Sequence, residues 1–211
     1  MYSFNKKATK IFDLGAVIIN IQPEKTFTHL KSLLKKQYQN KESENIFAPL
    51  FMDLEKGILE IEELHEKLLP FFQNPPDLKE FLNIWNGMLL DIPQHRINTL
   101  LKLKEQEEIY LLSNTNREHI QQINTYLKKE FNIDGLNGIF THCFLSYEMA
   151  LRKPNAEIYE ECLAQLIVKH SEFVFFDDTE ENVIGSKNAG LPAVHVPNNK
   201  NDDFWNYLSS Q

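Results

Sequence analysis

Three kinds of residue in this chain have the chemistry to handle a phosphate-like oxyanion, and each stands where a short apolar run ends. Asp13 follows Ile11-Phe12, Ser113 follows Ile109-Tyr110-Leu111-Leu112, and Asp177-Asp178 follows Phe173-Val174-Phe175-Phe176. A fourth group, Lys153, lies in the turn Arg152-Lys153-Pro154 just ahead of a helical pattern. A half-buried carboxylate such as Asp13 is costly unless it has partners, so a functional reading outweighs a structural one. Two carboxylate positions that face each other raise each other's pKa unless a cation lies between them. Carboxylate oxygens with no His or Cys nearby suit Mg2+, which keeps several waters and binds substrate phosphate. Ser113 and Asn114 add a hydroxyl and an amide that donate to phosphate oxygens, and Lys153 adds a cation. Together they suit phosphoryl transfer, where catalysis is mostly positioning and charge stabilisation. An aspartate can itself be the nucleophile of such a reaction.

These residues need a scaffold that brings distant runs to one edge. Short, continuously apolar runs are the pattern of parallel strands buried on both faces. The runs ending at Asp13, Ser113, Asp177 and Pro197 fit it, and Ile139 to Leu145, ahead of Ser146, is a further candidate. Helical periodicity separates the later runs over Arg117 to Lys129, Ala156 to Ile167 and Glu180 to Ala189, the last with Thr179 as N-cap and Gly190 as the residue beyond its end. Alternating strands and helices predict an α/β fold, a doubly wound, Rossmann-like parallel sheet. In such sheets ligands bind beyond the carboxyl ends of the strands, where Asp13, Ser113 and the Asp177-Asp178 pair fall.

One interval breaks the rhythm. Residues 20 to about 105 read as helices: Pro23 to Tyr38, Ile46 to Lys56, Ile61 to Phe72, Asp77 to Leu90 and Pro93 to Glu105. The expected organisation is a core of residues 1–20 and 93–211, with an inserted α-helical module over 21–92. Phe204-Trp205 is expected to fold back onto the core after the polar, turn-like stretch Asn198 to Asp203.

Composition narrows the partners. The chain has 211 residues, 42% hydrophobic and 25% charged, with a formal net charge of −8. That acidic balance argues against a nucleic-acid binder, which needs clustered Lys and Arg; Lys31, Lys35, Lys36 and Lys41 are read as a solvated helix face, as are Glu60, Glu62, Glu63 and Glu66. Cys143 and Cys162 match no zinc spacing and no disulfide framework and are read as reduced. With no signal-peptide pattern and no apolar stretch near the ~20 residues of a membrane span, the expected location is cytoplasmic, as a monomer or weak homodimer. His142 and His195, within apolar runs, are read as core histidines, and Trp85 as a packing residue.

The order of these motifs resembles the haloacid dehalogenase-like hydrolases, and within them the bacterial subgroup that includes α-D-glucose-1-phosphate phosphatases. The resemblance is carried by Ile11-Phe12-Asp13-Leu14-Gly15-Ala16-Val17, Leu112-Ser113-Asn114-Thr115-Asn116, Lys153 in Arg152-Lys153-Pro154, and Phe176-Asp177-Asp178 with Asn182. The inserted helices stand where that family carries its cap domain. The resemblance implies a magnesium-dependent phosphatase of small phosphomonoesters, most naturally sugar phosphates. Asp13 would be nucleophile and metal ligand, the Gly15 carbonyl and Asp178 further ligands, and Asp177 the holder of a metal-bound water or of Lys153. Ser113, Asn114 and Lys153 would clamp the phosphoryl group. Most phosphatases of the superfamily have a second aspartate at the position of Gly15, serving as general acid and base; its loss costs about 10²–10⁴-fold unless the leaving group is good or a cap residue such as His29, Glu55, His65 or Glu66 substitutes.

Three alternatives use the same residues differently. A dehalogenase would use Asp13 without a metal, but that branch resembles this chain less, having an aromatic residue at the Gly15 position and no need of the acidic pair. A non-catalytic phospho-ligand binder fits a chain lacking the second aspartate. A receiver domain places its acidic pair in the first loop and has no helical insert, the reverse of the order here.

Overall fold

The computed structural model describes residues 2, 4–40, 44–166, 172–197 and 202–210. Lys41, Ile167 and residues 198–201 of the expected polar turn lie outside them. Five strands, β1 (Thr9–Phe12), β2 (Ile109–Ser113), β3 (His142–Leu145), β4 (Phe173–Asp177) and β5 (Ala193–His195), form one parallel sheet in the order β3-β2-β1-β4-β5. The fold is the doubly wound α/β sheet. Alternate residues of each strand enter cores on opposite faces. Ile11, Tyr110, Leu112 and Phe175 point into one, and Phe12, Leu111, Val174 and Phe176 into the other. This is why the strand runs are apolar at every position rather than at every second one.

Ten helices accompany the sheet among the described residues. The first four, α1 (Pro23–Leu33), α2 (Glu44–Glu55), α3 (Ile61–Leu68) and α4 (Leu78–Asn86), share an apolar cluster of their own around Leu64, Phe81 and Trp85. They are followed by α5 (Gln94–Gln106), α6 (Arg117–Phe131), α7 (Ser146–Met149), α8 (Ala156–Leu166), α9 (Glu180–Asn188) and α10 (Asp203–Ser209). Phe204, Trp205 and Leu208 of α10 are buried against the sheet, and the Trp205 indole donates to the Val17 carbonyl at 2.9 Å.

Several helix ends differ from the periodic pattern, each for a local reason. The helix expected to reach Tyr38 stops at Leu33, because Leu34 turns to extended backbone (φ −69°, ψ 152°) and pairs with Phe72. Lys35 and Lys36 therefore lie beyond the helix, and only Lys31 of that group decorates it. The helix expected to reach Phe72 ends at Leu68, where Pro70 lies in a tighter turn over Leu69–Phe71. Asp77 caps α4, its carboxylate accepting the Glu80 N–H at 2.8 Å. Beyond α9, Gly190 (φ 87°) closes the helix, with Leu191 N–H donating to Ser186 O at 2.9 Å.

The histidines in apolar runs are not core residues. His142 opens β3 and His195 ends β5, and both are exposed because these are the two outer strands of the sheet. β3 itself starts at His142 rather than Ile139, since a 3₁₀ turn over Leu136–Gly138 occupies the approach.

The two connections to α1–α4 run side by side. Ile21 pairs antiparallel with Leu89, Asn20 N–H donates to Asp91 O and Leu90 N–H to Asn20 O, both at 2.9 Å. Arg96 of α5 secures the first of them by donating to the carbonyls of Val17 and Ile18 and to Asn20 Oδ1.

Candidate active site

The chain leaves β1 toward β2 on one side and returns to β4 on the other, so the sheet changes direction between β1 and β4. Asp13 and Asp177 stand at the carboxyl ends of these neighbours, tied by a 2.8 Å bond from Asp13 N–H to Phe176 O. Such a switch point is where open α/β sheets bind ligands.

Lys153 reaches this point from the turn before α8. Its ammonium, 1% exposed, donates to Asp13 Oδ1 at 2.7 Å, to Asp177 Oδ2 at 2.6 Å and to the Leu112 carbonyl at 3.0 Å. Burial pulls its pKa down, but the two carboxylates outweigh that and hold it above the ordinary lysine range. Burial raises the Asp13 carboxyl to about 7; Lys153 works against this, and Asp177 and Asp178 add to it. Asp178 is also raised, by burial first and by Asp177 second.

The remaining contacts fix roles. Asp177 is wholly buried and occupied by protein donors: beyond Lys153, its Oδ1 accepts Thr179 N–H at 2.8 Å and Asn182 Nδ2 at 3.1 Å. Thr179 stands at the N-cap position of α9, but its side chain makes no capping hydrogen bond; Asp177 instead holds the Thr179 backbone N–H just ahead of the helix. The Asn114 side chain is likewise committed, since its Nδ2 donates to Lys153 O at 2.9 Å while its Oδ1 accepts Lys153 N–H at 2.8 Å. It therefore holds the lysine turn against β2, and only its backbone amide is left for an anion. Ser113 is buried at the end of β2.

Oxygens of Asp13, Asp177 and Asp178 all lie within 4.8 Å of one another. An all-oxygen, strongly acidic set with raised carboxyl pKa values fits a hard divalent cation, which relieves the repulsion that raises them. Asp177 is saturated by Lys153, Thr179 and Asn182, so Asp13 and Asp178 have the freer oxygens. The Gly15 carbonyl accepts Val17 N–H at 2.7 Å across Ala16 (φ 59°) and keeps one lone pair free.

A cavity of about 220 Å³ lies between the sheet and the helical layer, with Gly15, Ser113 and Asn114 on one side and Glu55 and Trp85 on the other; Asp13, Asp177 and Asp178 do not line it. A larger one of about 330 Å³ lies inside the helical layer around Phe47 and Leu68 and contains none of the chemistry. Of the four cap residues considered as a substitute acid, only Glu55 lines the first cavity, where Arg152 holds it at 2.8 Å. His65 is buried and donates to Pro76 O, while His29 and Glu66 are exposed.

Two neighbours of the site had no sequence signal strong enough to single them out. Ser146 is fully buried and ties β3 to β2 by accepting Thr115 N–H at 2.9 Å and donating to Thr115 O at 3.1 Å. His119 lines the smaller cavity from the first turn of α6. Its only sequence mark is its spacing three residues after Asn116, the N-cap.

The fold and this acidic, lysine-bridged site are those of a hydrolase class, and comparison with known families gives the same answer. Residues 10–196 match the haloacid dehalogenase-like hydrolases, and the chain belongs to that family. Among curated relatives, a D-ribitol-5-phosphate phosphatase of Bacteroides thetaiotaomicron is 26% identical over 190 residues, 89% of this chain and 91% of that protein. A sesquiterpene phosphatase of Aspergillus oryzae is also 26% identical, over 88% of each chain. A solved structure of a family enzyme from Bacteroides thetaiotaomicron, in complex with magnesium and inorganic phosphate, superposes with a TM-score of 0.78 at 28% identity, covering 93% of this chain and 98% of that one.

Proposed function

We propose that the protein is a magnesium-dependent phosphatase that hydrolyses a small hydroxylated phosphomonoester, a sugar or polyol phosphate, through an aspartyl-phosphate on Asp13. The observation that carries this is the buried ammonium of Lys153 shared between Asp13 and Asp177 beside Asp178. A site for a neutral ligand has no use for so dense a set of charges. The phosphatase and magnesium-phosphate relatives support it.

In this reading residues 1–20 and 93–211 form the core and 21–92 the cap. Lys153 opposes the rise of the Asp13 pKa and holds its Oδ1, leaving Oδ2 of the ionised form to attack phosphorus as the bond to the leaving oxygen breaks. Ser113 and the Asn114 backbone amide clamp the phosphoryl oxygens, and Lys153, whose three N–H groups are given to Asp13, Asp177 and the Leu112 carbonyl, adds its charge. Water then hydrolyses the aspartyl ester, returning Asp13 and releasing phosphate. Magnesium, held by Asp13, Asp178 and the Gly15 carbonyl, supplies charge neutralisation of the carboxylates and phosphoryl oxygens. Gly15 provides no proton donor; Glu55, across the cavity, is the carboxylate placed to exchange a proton with the leaving oxygen.

The test is phosphate release from an aryl phosphate, hexose 1-phosphates, ribitol 5-phosphate and a sesquiterpenyl phosphate, with magnesium and with chelator. The expected result is metal-dependent release from the hydroxylated substrates that Asp13→Asn reduces to background. A wild type that binds phosphate with magnesium yet releases none from any of them would instead make it a phospho-ligand binder, the reading that Gly15 favours.

A further inference from the structure

Phe27 of α1 and Phe51 of α2 line two cavities at once. On one side lies the cavity of about 220 Å³ lined by Gly15, Ser113 and Asn114, and on the other the cavity of about 330 Å³ inside the helical layer. No other described residue lines both. The two rings pack together, with centroids 5.4 Å apart and 51° between planes. Phe51 packs in turn on Trp85 at 5.6 Å, and Trp85 stacks on His119 at 5.4 Å. Four aromatic side chains thus form a row along the smaller cavity, from α1 to α6, and the first two divide it from the apolar space behind.

The two spaces suit different contents. The larger is walled mainly by Leu30, Leu34, Phe47, Leu68 and Phe72, and none of the acidic groups or of the residues around Ser113 lines it. Water finds few partners in such a space, whereas a hydrocarbon chain gains roughly fourfold in affinity for each methylene it buries. The smaller cavity, at about 220 Å³, is below the roughly 300–1,000 Å³ of pockets for drug-sized ligands. A phosphate ester with its phosphoryl group at Ser113 therefore has room for a short leaving group. A longer one must displace packed rings or leave its tail in water.

We infer that Phe27 and Phe51 are specificity-determining residues: their rings set the maximum length of the leaving group by walling the smaller cavity off from the apolar cavity within the helices. The inference rests on the phosphatase reading. The wall, and not a lack of apolar surface, is what limits the leaving group, since Leu14, Ile21 and Met88 also line the smaller cavity. Phe51 is the more firmly held of the pair, between Phe27 and Trp85. Phe27 is 41% exposed, so its removal disturbs the helices less.

The experiment varies chain length alone. In the Asp13→Asn background with magnesium, calorimetry gives the affinities for ethyl, hexyl and decyl phosphate relative to inorganic phosphate. The parent is expected to gain from ethyl to hexyl and to level off before decyl. Phe27→Ala and Phe51→Ala should raise the decyl ratio about tenfold, the worth of two buried methylenes. Phe47→Ala enlarges the apolar cavity without opening the wall and should leave the ratio as in the parent. Phe27→Ala, the milder change, carries the test if Phe51→Ala loosens the helices. A parent that keeps gaining through decyl, a shift below about twofold in Phe27→Ala, or an equal gain in Phe47→Ala overturns the inference. A wild type that binds phosphate but releases none from its esters overturns the phosphatase reading alone, since the ratio is read without turnover. Failure to bind inorganic phosphate or any ester overturns both.

Discussion

Lys153 is the residue on which the electrostatics of the site turn. Without a metal, three carboxylates share one ammonium, and burial and repulsion leave Asp13 titrating at about 7 in the fold against 3.8 for the free group. The sign follows directly: a carboxyl raised in the folded state favours folding while protonated, and that contribution fades as pH rises from about 4 through about 7. A divalent cation reverses this by stabilising the ionised form, so magnesium should raise the thermal midpoint more at pH ~8 than at pH ~5. Differential scanning at both pH values checks this, and an equal shift at each would mean that Asp13 is not part of the cation site. His119 works in the opposite sense. Its pKa falls from 6.5 to about 4 on folding, so its contribution is present above about 6.5 and is lost as pH falls toward 4.

At the scale of elements, the lysine is only as well placed as the turn that carries it. Gly185 of α9 packs directly on that turn, and a Cβ there would sit 2.4 Å from the Pro154 carbonyl. Gly185→Ala must therefore push α9 and the lysine turn apart. The expected cost is about 1–3 kcal/mol in chemical denaturation, with a fall in kcat larger than any change in KM. Unchanged stability would show that the turn can yield. The same elements explain what the sequence made legible. Strands β1, β2 and β4 were readable because both faces are buried, and their last residues pointed to Asp13, Ser113 and Asp177. His142 and His195 were misread because a continuous apolar run says nothing about which strand lies at the edge. Nothing in periodicity marks the break at Leu34, which depends on pairing with the distant Phe72. Nor could composition show that the Asn114 side chain grips the backbone of Lys153, 39 residues away, or that His119 meets Trp85.

Across the whole molecule, the helical layer and the sheet layer meet through a few specific contacts. Arg152 pairs with Glu55 and Arg117 with Glu60, and Trp85 stacks on His119. The ion pairs are partly or largely exposed and contribute less than about 1 kcal/mol each, so the layers are not welded together by charge.

The paired connections at 20–22 and 88–91 have a consequence for how such a molecule can be cut and rejoined. Since Asn20 and Leu90 already exchange a hydrogen bond at 2.9 Å, the chain enters and leaves the helices at almost one point, and the ends left by deleting 23–87 could be closed by a two-residue hairpin turn. The trimmed protein should keep its sheet by circular dichroism, still bind magnesium with inorganic phosphate, and lose its preference among phosphate esters. Collapse of the sheet would show the opposite: that the helices are a structural partner of the strands rather than a detachable selector riding on them.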